Sequence, residues 1–360
     1  MKKEKERESS KEKESKSLKE KENESENTEE EEEEGESFRE TLRIIFDKPY
    51  RVGLSALFHK EMADHVRSKR FFIVMGLIWL TCFAGLYGAL GGLNDVVTDD
   101  SRFAFLMLFT TSGRSIPSFT AFIALLGPFV GLALGFDAIN GERSKGTLNR
   151  LLAHPIYRDA VITGKFLAGA AIISIMVLAM GIIMAAAGTI ATGLIPSGEE
   201  IARLLSALVL TCFYIAFWLG LATLFSVICN HAATSALATI ACWLFLAVFV
   251  SMIAGIVAGA AFPVDGPDAA ANAVSNFNLE RMLSRLSPHY LYSESITAIL
   301  TPSVRTTGAI TMEQIQGALH GYLPFGQSLL LIWPQTIAMI AFTVLSFGIS
   351  FVCFMRQEVR

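Results

Sequence analysis

The residues best equipped for chemistry lie between positions 136 and 165, FDAINGERSKGTLNRLLAHPIYRDAVITGK. Acids, bases, hydroxyls and glycines crowd there between two long apolar runs. The chemistry open to them is recognition rather than bond-making. Ser144, Lys145, Gly146 and Thr147 look like part of a phosphate cradle. The G-x-x-x-x-G-K-[ST] order that wraps backbone amides around a phosphate is nevertheless absent here and from the rest of the 360 residues. The chain therefore does not cradle ATP by itself.

Other reactive side chains carry less. His59 and His65 flank a pre-span segment without metal-ligand spacing and read as solvated surface groups. His154 sits beside Pro155, where a helix-capping role fits, and His231 reads as polar filler in a short loop. Cys82, Cys212, Cys229, Cys242 and Cys353 all lie in or at the ends of apolar runs, with no C-x-x-C pair, and read as small buried hydrophobes. Met176, Met180 and Met184 line one helical face. Thioethers suit Cu(I), but methionine also fills apolar cores. The apolar runs hold no paired catalytic polar groups, which argues against an intramembrane enzyme.

Hydrophobic residues make up 52% of the chain and mean hydropathy is +0.46. A soluble domain is usually about 45–50% apolar, without such clumping. A membrane-crossing helix needs about 20 apolar residues. Six windows qualify, at 71–91, 119–139, 166–190, 204–228, 234–262 and 328–354. The fold class read from the sequence is thus an all-α integral membrane protein with six transmembrane helices, forming a domain over 71–354. Residues 1–37 are a Lys/Glu/Ser tract that includes Glu29–Glu34 and is expected to be disordered. It lacks an apolar leader region, which implies an uncleaved first span. Residues 38–70 read as an amphipathic elbow on the membrane surface, with Phe38, Leu42, Ile45 and Phe46 at helical spacing.

Charge sets the expected orientation. Beyond the tail, segments on the N-terminal side of the membrane hold 15 Lys/Arg, and those on the other side hold 6. Cytoplasmic segments carry the excess, so both termini are expected in the cytoplasm. No apolar window contains Lys or Arg, and Asp137 is the one acid. Proton-coupled carriers place ionisable groups at mid-membrane, so energy for any transport must come from elsewhere. Residues 263–327 form a large extracytoplasmic loop, in which Leu279–Leu286 and Ile315–Leu319 read as short helices.

Small residues mark where helices approach closely. The expected packing faces are Gly127, Gly131 and Gly135 in the second span, Gly255 and Gly259 in the fifth, and Gly88 and Gly92 in the first. Pro128 is expected to bend the second span. Within the cytoplasmic loop 140–165, Gly141 ends the second span. GERSKGTLNRLLAHP reads as a short helix stopped by Pro155. From the residues alone, a docking surface and a plain positive-inside loop are equally open.

A resemblance separates the two. Phe136-Asp137, Gly141-Glu142-Arg143, Gly146-Thr147-Leu148, Leu151-Leu152, Pro155, Arg158 and Gly164-Lys165 resemble the first intracellular loop of ABC transporter permeases of the type-2 exporter class. Lys60-Glu61, Arg67-Ser68-Lys69-Arg70 and Leu286-Ser287-Pro288 extend the likeness to about residues 55–355. Among branches it looks nearest the nitrous oxide reductase maturation permeases. The resemblance implies a coupling helix seated in a separate ATP-binding subunit, with Glu142, Arg143, Lys145, Thr147, Leu148 and Arg150 as the contact set. It also implies a plasma-membrane exporter, a homodimer embedded in lipids and served by two ATPases, with no cofactor and no nucleic-acid partner. The alternative is a non-transporting membrane scaffold or anchor for an assembly complex. The cargo is left open.

Overall fold

A computed structural model describes residues 48–96, 103–112, 116–148, 157–265, 269–304, 306 and 322–357. The tail 1–37, the elbow residues Phe38–Phe46, the loop residues from Asn149 to Ile156, and Ile315–Leu319 lie outside the described residues. The chain divides into two compact units, Met1–Ser55 and Ala56–Arg360. In the first, the described residues open helix α1 (Lys48–Arg67), whose remainder belongs to the second unit.

The second unit is all helix among the described residues. It comprises α2 (Lys69–Val96), α3 (Ala104–Thr110), α4 (Phe119–Gly135), α5 (Asn140–Ser144), α6 (Arg158–Thr192) and α7 (Gly198–Ile228). Then follow α8 (Ala232–Leu244), a π-helical turn at Phe245–Phe249, α9 (Val250–Ala261), α10 (Ala269–Ser284), α11 (Pro288–Leu300) and α12 (Phe325–Arg356). Among the described residues, six stretches are long and apolar enough to cross a membrane: Phe71–Gly92, Phe119–Ser144, Arg158–Thr192, Gly198–Ile228, Ala232–Ala261 and Phe325–Arg356. They coincide with the six expected windows.

Several helices overrun those windows. At about 1.5 Å per residue, the 35 residues of α6 are longer than the hydrocarbon core is thick. Arg158 and Lys165 therefore belong to a spanning helix, not to a loop. Arg203 likewise falls inside α7, which starts at a capping box. The Ser197 side chain accepts from the Glu200 amide at 3.3 Å, and the Glu200 carboxylate accepts from the Ser197 amide at 2.8 Å. The expected apolar windows hold no Lys or Arg, but the helices that contain them begin earlier, because a capped backbone, not hydropathy, sets where a helix starts. The second span also breaks earlier than expected, at Phe136–Ile139, and Gly141 lies inside α5.

Helix α7 is the axis of the bundle. Two-thirds of its apolar window (67%) is buried within the chain, against 6% for the α8–α9 stretch. Gly127, Gly131 and Gly135 of α4 lie on it. A methyl at Gly131 would come within 2.7 Å of the Ile215 carbonyl, and one at Gly135 within 2.8 Å of the Ala222 side chain. Only hydrogen fits there. Gly255 instead faces Glu280 of α10, and no atom approaches the position of a methyl on Gly259. Met176, Met180 and Met184 are buried in the core. Met176 and Met180 line, with Cys82 and Gly127, an apolar cavity of about 20 Å³.

Among its described residues, the segment 263–327 holds more helix than the expected Leu279–Leu286. Helix α10 begins ten residues before Leu279, through the alanine-rich 269–273. Helix α11, unforeseen, packs into the bundle with Leu291, Tyr292, Ile296 and Ile299 buried. Its start was legible, since Ser287 caps it and Pro288 occupies the first turn, where a missing amide costs nothing.

Pro128 explains one polar contact of α11. Proline has no amide hydrogen, so the Ala124 carbonyl four residues earlier loses its helical donor. The Tyr214 hydroxyl donates to that carbonyl at 2.7 Å, and His289 Nδ1 lies 3.2 Å from it. Tyr214 also stacks on Tyr292, with ring centroids 4.2 Å apart.

Candidate functional site

The 140–148 segment is held at its base and free at its tip. At the base, the Ser226 hydroxyl of α7 accepts from the Ile139 amide at 3.0 Å and the Asn140 amide at 3.2 Å. All three residues are buried. Next to the base, Arg143 donates to the Gln357 side-chain oxygen at 2.6 Å, and Gln357 donates onward to the Val227 carbonyl at 3.0 Å. Arg158 donates to the carbonyls of Phe354, at 3.1 Å, and of Gln357. Its guanidinium also lies 5.2 Å from the centre of the Phe354 ring. The loop base is thus fastened to the ends of α7 and α12.

Gly146 takes a left-handed conformation, φ 67°, which a side chain would disfavour. The expected helix over GERSKGTLNRLLAHP is therefore interrupted after Ser144. The turn leaves Ser144, Lys145 and Gly146 exposed, while Leu148 is buried. Arg150, the sixth expected contact residue, lies outside the described residues.

Glu142 points inward instead. Its Oε1 lies 3.3 Å from Lys60 Nζ and 3.5 Å from Lys165 Nζ. The same two ammonium groups meet Glu61 Oε1, at 3.0 and 2.8 Å. The four side chains close a ring of alternating charge that joins α1, the loop and α6. The Thr147 hydroxyl donates to the Glu142 backbone carbonyl at 3.2 Å and also to its carboxylate. Side-chain exposure is 5% for Lys165 and 7% for Glu61, against 19% for Glu142 and 45% for Lys60. Lys60 also reaches Asp64 at 3.5 Å on its open side.

Titration follows this geometry. Burial pushes the Glu61 carboxyl up, but the Lys165 and Lys60 ammonium groups outweigh it and hold the carboxyl below its ordinary value. Burial likewise draws Lys60 down, and the Glu61 and Glu142 carboxylates more than restore it, leaving it raised. His65, one turn beyond Glu61, is held below its ordinary value by burial.

The resemblance had marked Lys60-Glu61, Glu142 and Lys165 separately, and the structure brings them together. Ser226 and Gln357 were missed, because a lone serine or glutamine near a helix end carries no pattern. The far end of the bundle holds a second missed cluster. Arg203 is fully buried and uses all five of its N–H groups. Nε and Nη2 bond Glu199 at 3.1 and 2.9 Å, Nη1 bonds the Ile299 carbonyl and Ser328 hydroxyl at 2.9 and 3.0 Å, and Nη2 bonds the Leu323 carbonyl at 2.5 Å.

Comparison with known proteins gives this arrangement a context. The family described as "ABC-2 family transporter protein" matches residues 55–359. Over 119 residues the chain is 30% identical to a Pseudomonas aeruginosa protein named "Probable ABC transporter permease protein NosY", covering 33% of this chain and 39% of that relative. A Stutzerimonas stutzeri protein of the same name is 29% identical over 127 residues, again covering 33% and 39%. The chain thus spans about two-fifths of the length of the curated relatives it matches.

Proposed function

Because the chain belongs to the ABC-2 family of transporter proteins, we propose that it is the membrane permease subunit of an ATP-binding cassette exporter, driven by ATP hydrolysed on a separate chain. The observation that carries this reading is the 140–148 segment. It is fastened at its base to α7 and α12, tied by charge to α1 and α6, and exposed only at its tip. A surface that moves helices when pushed needs this arrangement.

Lys145 is the described residue best placed to touch the ATP-binding subunit, with Arg143 and Thr147 beside it. Glu142 and Leu148 face inward and serve the contact by holding the tip in place. Arg150 completes the set. The loop faces the cytoplasm in this reading, as do both termini, and the protein lies in the plasma membrane as a homodimer with two ATPases. The names of the two relatives support the reading of the chain as an ABC transporter permease.

Co-expression with an ATP-binding subunit tests the reading. The two chains should co-elute in detergent and hydrolyse ATP, and Lys145→Glu should weaken the association while leaving the permease folded. Failure to associate with any ATP-binding subunit would overturn the proposal in favour of a membrane scaffold.

A further inference from the structure

The charge ring is uneven in a way that has mechanical meaning. Both ammonium groups lie closer to Glu61, at 2.8 and 3.0 Å, than to Glu142, at 3.5 and 3.3 Å. Glu142 is the loose corner, and it alone sits on the exposed loop. Three and two residues before it, the loop is pinned by the Ile139 and Asn140 amide bonds to Ser226. Four residues after the pin begins, at Arg143, the next anchor reaches α12. The segment is a lever with a hinge at Ile139–Asn140, a free tip at Lys145, and a charged linkage between them.

Withdrawing Glu142 would leave Lys60 with Glu61 and the exposed Asp64, and would leave Lys165, whose side chain is 5% exposed, sharing Glu61 with Lys60. Thinning the counter-charge around a buried ammonium group is unfavourable. The lysines therefore follow Glu142 rather than release it. Lys165 carries α6 with it, and Lys60 carries α1. Neutral hydrogen bonds at the hinge impose no such requirement.

We propose that the ring of Lys60, Glu61, Glu142 and Lys165 transmits displacement of the 140–148 loop to α1 and α6, with Lys165 as the positioning residue. The proposal rests on the reading of the loop as the ATPase contact.

The test uses the complex of the full chain with its ATP-binding subunit in lipid vesicles. Spin labels on Ile175→Cys in α6 and Val344→Cys in α12, both exposed positions, in a background otherwise free of cysteine, report the distance change on trapping with ATP and vanadate. If the unmodified pair does not associate or hydrolyse ATP, the functional reading fails, and this proposal with it. If it associates and shows the distance change, Lys165→Met should still bind the ATPase and lose that change. Lys165→Arg, which keeps a positive charge between Glu61 and Glu142, should retain it. A Lys165→Met complex that binds and keeps the full change overturns the proposal. So does a Lys165→Arg complex that assembles as the unmodified complex does and stays unresponsive. Should both variants fail to assemble, Glu142→Gln decides, since it opens the ring at its loosest corner: a lost distance change supports the linkage, and an unaltered one refutes it.

Discussion

Arg203 and Lys165 are both buried cations in helices that cross the membrane, and they are accommodated in opposite ways. Arg203 spends its five N–H groups on Glu199 one turn away, on the Ile299 and Leu323 carbonyls, and on Ser328. Three of these four partners are neutral, and two are backbone carbonyls. The planar guanidinium suits such a site because its donors diverge in set directions. Lys165 instead shares two carboxylates with a second lysine, and those carboxylates sit on separate segments. A compact ammonium ion on a flexible stem tolerates changes of distance. One end of the bundle is built to stay and the other to yield.

Each side of this contrast can be broken. Arg203→Ala should cost the most, about 3–5 kcal/mol, because it removes a buried charged partner and strands two carbonyls. Thermal unfolding in detergent measures it, and an unchanged melting temperature would show that the Arg203 end is not the rigid one. Gly131→Ala should cost about 1–3 kcal/mol by overpacking the α4–α7 contact that joins the two ends. Gly259→Ala serves as its control. Nothing surrounds that position within the chain, so alanine should be neutral or stabilising by up to about 1 kcal/mol. A large loss there would instead point to a second copy packed on that face.

At the yielding end, Glu61→Gln should cost about 1.5–3 kcal/mol, as for hydrogen bonds to charged groups. Glu142→Gln, at the looser corner, should cost about 1 kcal/mol or less. Equal losses would erase the asymmetry on which the lever rests. The smallest effect is the response to acid. His65 has a lowered pKa, so its contribution is complete above 6.5 and is lost as pH falls toward its folded value, because the unfolded chain takes the proton first. Glu61 also has a lowered pKa, so its contribution is complete above 4.5 and is lost further down. Stability should therefore decline in two acid steps. His65→Gln should shrink the upper step, to which His289, also held below its ordinary value by burial, contributes, and Arg203→Ala should keep both steps from a lower starting point.

The spans were legible because run length against bilayer thickness needs no knowledge of neighbours. Helix ends were legible in part. The Ser197–Glu200 box and the Ser287-Pro288 start stand in the sequence, but hydropathy outvoted the first, and the second was read as a family motif. The side-chain pairings were not legible. Lys60 meets Glu142 across 82 residues of sequence, and Arg203 meets the Ile299 carbonyl across 96. Such distances are closed only by the bundle's topology, which residue spacing does not encode. The break after Ser144 was missed for a simpler reason: Gly146 is compatible with a helix and acquires its left-handed geometry only where Thr147 turns back to Glu142.

The Ala124 carbonyl carries a consequence for how this sequence can drift. Its bond to Tyr214 exists because Pro128 vacated a donor, so the two residues form one inherited trait. Tyr214→Phe should be harmful in the present background and nearly silent beside Pro128→Ala, which returns an amide to the carbonyl. In descendants of this chain, proline at 128 and a hydroxyl at 214 should be gained and lost together, with His289 as the understudy that lets a lineage survive between the two changes.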